Sequence, residues 1–324
     1  MTPVRDRTID VDVAGVFALP LRNRFRRITV REGVLLRGPA GWGEFSPFRD
    51  YDDAESVPWF AAAIEASHEG WPEPVRDAVE VNTTVPVVPP ERAHDLVSAS
   101  GCRTAKVKVA DPRSSLADDC ARVEAVRTAL GPGGAIRVDA NAAWDVDTAV
   151  AALRELDRAA GGLEYAEQPC ASVAELADVR RRVDVRIAAD ESIRRAEDPL
   201  RVAVAGAADV AVLKTAPLGG VRRALDVAES CGLPCVVSSA VDSSVGLAAG
   251  LALAGALPEL DFACGLGTAS LLTADVTSTP LSAVDGFLPV PHTAPEPDLL
   301  ADHAADPDTT QWWRDRIRRV EATG

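Results

Sequence analysis

Between Ala105 and Ser239 the chain repeats one pattern six times: a short apolar run ends in charged or polar residues, and an amphipathic stretch follows. The runs occupy residues 105–109, 136–141, 164–169, 187–192, 210–214 and 235–239. From Lys108 the steps to Asp139, Glu167, Asp190, Lys214 and Ser238 are 31, 28, 23, 24 and 24 residues. Each step holds one β-strand, one helix and two loops, the βα unit of a barrel of roughly 250 residues divided by eight. The stretches between runs carry helical stripes. Leu116, Cys120, Val123, Val126 and Leu130 form one, and Val146, Ala149, Val150, Leu153 and Leu156 the next.

The flanks read differently. Residues 8–18 and 26–37 alternate as strands do, Gly38-Pro39-Ala40-Gly41 is a hairpin turn, and a helix is expected over 54–69. Between the first two strands, residues 20–27 form a basic loop. The barrel is expected to begin at the β-branched run 81–88, with a helix over 91–98 behind it and an eighth strand at 261–267. Gly131-Pro132-Gly133-Gly134 lacks the Lys-Ser/Thr tail of a phosphate loop and reads as a turn. From residue 282 the chain is proline- and acid-rich, then ends in a helix over 311–320 bearing Trp312 and Trp313. The expected organisation is an α+β capping domain over 1–80, a barrel over 81–281, and a terminal segment over 282–324 packing back on the cap.

Length and composition agree with that plan. The 324 residues suit a barrel with a smaller partner, and 47% apolar content is ample for its core. A net charge of −15 argues against nucleic acid or an anionic membrane surface as partner. The longest uncharged apolar stretch, 245–257, is too short to span a bilayer and reads as a buried helix. Residues 1–10 lack an export pattern, and the six scattered cysteines read as reduced thiols, so a cytoplasmic location is expected.

The chemistry lies at the ends of the runs. Side chains two apart on a strand share a face, so Lys106 and Lys108 point together, as do Asp139 and Asn141. Asp139, Glu167 and Asp190 come from three consecutive strands and are hard oxygen donors without His or Cys, a set suited to Mg²⁺. Lys108 and Lys214 flank this arc. Neighbouring lysines depress each other's charged form, which would make one of them a base. Removing a proton beside a carboxylate builds an enediolate, which a divalent cation and a facing ammonium stabilise.

Lys106-Val107-Lys108, Asp139-Ala140-Asn141, Glu167-Gln168-Pro169, Asp190-Glu191-Ser192 and Lys214, in that order, resemble the muconate-lactonizing subgroup of the enolase superfamily, and the likeness extends to residues 41–48. It implies a modified TIM barrel, (β/α)7β, beneath a capping domain completed by the C-terminal tail. It also implies Mg²⁺ (or Mn²⁺ in its place) on Asp139, Glu167 and Asp190, acid/base lysines at Lys108 and Lys214, and Asn141 and Glu191 supporting the ligands. Within the subgroup, the short chain, residues 238–244 and Gly265-Leu266-Gly267 are most similar to the actinobacterial o-succinylbenzoate synthases. That likeness implies a syn dehydration of a small carboxylate, with Arg22, Arg24, Ser238, Ser239 and Gly265 as candidates for holding its succinyl end. Two alternatives stand beside it. One is an N-acylamino-acid racemase or dipeptide epimerase of the same subgroup; the other is a non-catalytic binding protein on the same barrel. The oligomeric state is left unassigned.

Overall fold

The structure is a computed structural model that describes residues 11–194, 201–290 and 293–323. Residues 8–10 of the first expected strand lie outside the described residues. The cap is a three-stranded antiparallel sheet of β1 (Asp12–Phe25), β2 (Ile28–Gly38) and β3 (Gly41–Phe45). A helix over Asp53–Ile64 packs on it, begun by a capping box in which Asp52 and Glu55 satisfy each other's backbone N–H groups. The expected single helix over 54–69 changes geometry at Glu65–Glu69, which winds as a wider π turn. The terminal helix, Pro307–Thr323, completes the cap. It buries Trp313 and Ile317 among Val34, Phe45 and Trp59, and Arg319 pairs with Asp53 at 2.8 Å.

Residues 20–27 are not a loop. β1 continues through Pro20 to Phe25, and Arg26 and Arg27 make a two-residue hairpin turn with φ of +46° and +66°. Phe25 pairs with Ile28 across it, and Leu21 bridges to Leu272. Two consecutive left-handed residues suit the strand twist of a tight hairpin, but Asn-Gly is the usual signal for them. Arg-Arg carries no such signature, so the basic stretch looks like a loop in sequence.

The second domain is a parallel sheet of seven strands in sequential order. They are β5 (Thr83–Val85), β6 (Thr104–Lys108), β7 (Ala135–Asp139), β8 (Tyr165–Glu167), β9 (Ile187–Ala189), β10 (Val210–Leu213) and β11 (Cys235–Val237). Helices on the outer face and side chains on the inner face bury both sides, which is why these strands are short unbroken apolar runs. Outer helices start where the sequence supplies caps. Ser115 with Asp118 opens Leu116–Leu130, Asp145 opens Val146–Ala160, and Ser172 with Glu175 opens Val173–Arg180.

The ring closes through the eighth segment. Cys264 bridges Val81 and Gly265 bridges Ser238, with Asn82 N donating to Cys264 O at 2.9 Å and Gly265 N to Val237 O at 2.7 Å. Residues 261–267 thus fill the eighth position with single bridges rather than a full strand. At the opposite end from the cap, β4 (Ala78–Glu80) pairs antiparallel with β12 (Phe287–Pro289). The apolar stretch expected to be buried is the helix Ser244–Ala256, packed in the barrel wall.

Candidate active site

Register sets the site. Lys108 on β6 lies beside Asp139 on β7, and Asp139 beside Glu167 on β8. Asp190 and Lys214 directly follow β9 and β10. Ionisable groups from five neighbouring strands therefore meet at the C-terminal mouth of the barrel, where side chains of (β/α) barrels converge. Asp139, Glu167 and Asp190 are each at most 1% exposed.

Each carboxylate faces a lysine. Lys106 Nζ donates to both oxygens of Glu167 at 3.1 and 2.9 Å, and stands 3.7 Å from Asp139. Lys108 Nζ donates to Asp139 and, at 2.7 Å, to Asn141 Oδ1. Lys214 Nζ donates to Asp190 at 2.6 Å. Asn141 Nδ2 reaches Glu191 at 3.4 Å, and its backbone N–H holds Asp139 at 3.0 Å. Asn141 thus holds both Lys108 and Asp139.

Burial and charge pull these groups apart. Burial would lower the Lys106 ammonium, but Glu167 and Asp139 overcome it and hold it above the ordinary lysine value. For Lys106 itself the expected depression is absent, because the carboxylates outweigh burial. Glu167 is pushed up to about 7 by burial and by the charge of Asp139, despite Lys106. Asp139 goes the other way: burial opposes its charge, but Lys108 and Lys106 hold it below the usual carboxylate range.

The donor set fits a hard divalent cation. Three carboxylates, hard oxygen donors, are buried together at the ends of neighbouring strands. Among the described residues, no three such side chains are already gathered at metal-ligand spacing, since each carboxylate is turned onto its own lysine.

Above the carboxylates lies a cavity of about 680 Å³. Lys106, Lys108, Asp139, Asn141, Glu191, Lys214, Ser238, Ser239 and Gly265 line it, as do Arg24 and Phe25 from the β1–β2 hairpin. The Phe25 ring lies 5.2 Å from Lys108 Nζ. Arg22 stands apart, its Nε donating to Ser270 O at 3.2 Å. Ser239 Oγ lies 3.1 Å from Gly265 O and 2.7 Å from Thr268 Oγ1. A Cβ at Gly265 would come within 2.6 Å of Ser238 Oγ, so the serine hydroxyl would have to turn away to admit one.

Two residues at the site carried no role in the sequence reading. Gln168 is fully buried; its Oε1 accepts from Asp190 N at 2.9 Å and Ser192 N at 3.1 Å, tying the strand of Glu167 to Asp190. Its place in Glu167-Gln168-Pro169 was the available signal. Thr84 is buried and lines the cavity, and its hydroxyl has no hydrogen-bond partner among the described residues. It sat unnoticed in the run 81–88, where β-branched residues read as core.

Known proteins match this arrangement over nearly the whole chain. Residues 90–295 match the enolase C-terminal domain-like family model, and residues 16–67 the enolase N-terminal domain-like model. An o-succinylbenzoate synthase of Thermobifida fusca is 63% identical over 94% of this chain and 95% of its own. The chain belongs to the o-succinylbenzoate synthase family of enolase-like proteins. A second member, from Mycobacterium bovis, is 56% identical over 95% of this chain and 93% of its own. Among solved structures, a muconate lactonizing enzyme from Pseudomonas fluorescens complexed with muconolactone has a TM-score of 0.76 at 23% identity, covering 90% of this chain and 97% of that one. A dipeptide epimerase from Enterococcus faecalis, complexed with Mg and a dipeptide, has a TM-score of 0.74 at 22% identity, covering 88% and 97%. These two share the fold.

Proposed function

We propose that this chain catalyses the o-succinylbenzoate synthase reaction of its family: the syn dehydration of 2-succinyl-6-hydroxy-2,4-cyclohexadiene-1-carboxylate to 2-succinylbenzoate, a step of menaquinone biosynthesis. The observation that carries the reading is the ladder Lys108–Asp139–Glu167, continued by Asp190 and Lys214, with Lys108, Asp139 and Lys214 lining one cavity. Asp139, Glu167 and Asp190 would hold Mg²⁺, or Mn²⁺ in its place, and the bound ion would stabilise the charge that gathers on the substrate carboxylate.

The protein's own groups do the rest. Lys108, as the free amine, takes the proton from the ring carbon bearing the carboxylate. The electron pair left behind forms the enediolate, which the Lys214 ammonium stabilises from the opposite side. When the ring hydroxyl departs, Lys108 returns its proton to that oxygen, water leaves, and the ring becomes aromatic. Asn141 holds Lys108 toward the ring, and the Phe25 ring covers the amine from above. Arg24, Ser238, Ser239, Gly265 and Thr84 line the cavity, which supports them as contacts of the succinyl arm. The six free thiols support a cytoplasmic setting.

The test is direct. Purified protein with Mg²⁺ and the cyclohexadiene acid should give the aromatic product, lose activity to chelator and regain it with Mg²⁺ or Mn²⁺. Full turnover by the stripped protein, or none by the loaded one, would overturn the reading.

A further inference from the structure

Val241 has a φ of +63° although it is β-branched and 3% exposed. Bulky β-branched residues are true outliers in this region, and such a conformation persists only where its surroundings impose it. Val241 ends the cavity-lining stretch Ser238, Ser239, Ala240, Val241 and precedes the helix Ser244–Ala256.

What imposes it belongs to the other domain. Arg31, on β2 of the cap, is 2% exposed, and its Nε donates to Val241 O at 3.1 Å. The same guanidinium donates to Ser46 O and, at 2.9 Å, to Ser46 Oγ; it lies 3.7 Å from Asp242 and 4.5 Å from the centre of the Phe48 ring. Asp242 in turn accepts from Ala240 N at 3.0 Å. One residue further on, Ser243 donates its N–H (3.2 Å) and its hydroxyl to Glu44 of β3, and Glu44 also accepts from Ser46 Oγ at 2.7 Å. Packing leaves no slack. A Cβ on Gly246 would come 2.7 Å from Asp242 Cβ and 2.8 Å from the Glu44 carboxylate. Phe48 and Val241 both line the cavity, whereas Arg31 stands behind them.

We propose that Arg31, backed by Glu44, is a positioning residue for the reaction: the cap uses it to hold the strained Val241 turn, and thereby the Ser239–Val241 wall, in the form that receives the substrate's ring and arm. This rests on the proposed dehydration only for its kinetic readout. The wall is remote from the proton-transferring lysines in sequence and takes no proton, so the effect falls on substrate binding more than on the chemical step.

The test is a double-mutant cycle between Arg31→Met and Val241→Gly, made in the full chain with Mg²⁺. Arg31→Met should raise KM about tenfold while kcat stays within about threefold. Glycine adopts a φ near +63° without steric cost, so in the Val241→Gly background the same Arg31 substitution should raise KM less than about threefold. Hydrogen exchange of the 238–245 segment should quicken in Arg31→Met and not in the β6–β8 strands, a readout that needs no turnover. A wild type without activity would therefore sink the dehydration and leave this inference to the exchange data. An unchanged KM and unchanged exchange in folded Arg31→Met, or an equal penalty in both backgrounds, would overturn it. Should Arg31→Met fail to fold, Arg31→Lys keeps the charge but loses the fork, and the same cycle applies with a smaller KM effect.

Discussion

Lys108 and Lys214 differ in what the dehydration asks of them, and single substitutions separate the roles. In the proposed syn elimination, which works on one face, Lys108 would carry both proton transfers and Lys214 need only be positive. A racemase needs a base on each face. Arginine keeps the charge but does not deprotonate in proteins. Lys108→Arg should therefore fall to background, Lys214→Arg should retain a measurable remnant, and Lys214→Ala should lose far more. Steady-state rates with crystals of both arginine variants check this; equal loss in the two, with the carboxylates undisturbed, would favour the two-base alternative. Thr84 gives a second prediction. Its buried hydroxyl lacks a partner among the described residues, and leaving such a group unpaired costs about 1–3 kcal/mol. Thr84→Val should thus leave thermal stability equal or higher while raising KM several-fold. A stability loss with KM unchanged would mean that the hydroxyl serves the fold and not the substrate.

At the scale of elements, the cap depends on close approaches between its sheet and its helix. A Cβ on Gly43 of β3 would stand 2.0 Å from Ala63 O and 2.8 Å from its carbonyl carbon, both backbone atoms that have no room to yield. Gly43→Ala must push the sheet off the helix Asp53–Ile64, and overpacking of this kind costs roughly 1–3 kcal/mol or more. Melting temperature should drop, whereas Gly41→Ala, at a position with nothing within 4 Å, should cost only its backbone strain at φ +141°. Equal effects of the two would remove the packing argument. These elements also show what a sequence reveals. The strands bearing Lys108, Asp139, Glu167, Asp190 and Lys214 were legible because each couples an apolar run to a polar end, and the barrel repeats that couple at regular steps. The arm 20–25 was not, since its alternation is interrupted by arginines and turned by Arg26-Arg27. The closing segment 261–267 was half legible: its position in the ring follows from counting, but its reduction to bridges at Cys264 and Gly265 depends on where β11 and Val81 lie.

For the whole molecule, the least legible feature is the junction between domains, because Glu44 and Ser243 are 199 residues apart and nothing local links them. Its electrostatics make the molecule's stability depend on pH. Burial, then the charge of Asp242, push Glu44 up to about 7, although Arg31, Ser243 and Ser46 act to lower it. In the unfolded chain the same carboxyl titrates near 4.5. Between these values the folded protein keeps a proton that the unfolded chain has released, so folding is favoured at the acid end and loses that advantage as pH rises through about 7. The contribution is at most on the order of 3 kcal/mol, since one pKa unit corresponds to about 1.4 kcal/mol. Glu44→Gln carries no proton to lose, and groups away from the junction, Glu167 among them, are common to both proteins and cancel in the difference. Denaturant unfolding of the two proteins at several pH values should therefore show wild-type stability, relative to Glu44→Gln, declining from about pH 4.5 to 7 and level above that. A difference that is flat across this window, or that grows with pH, would mean that Glu44 is ionised throughout and that Arg31 outweighs both burial and Asp242 at the junction.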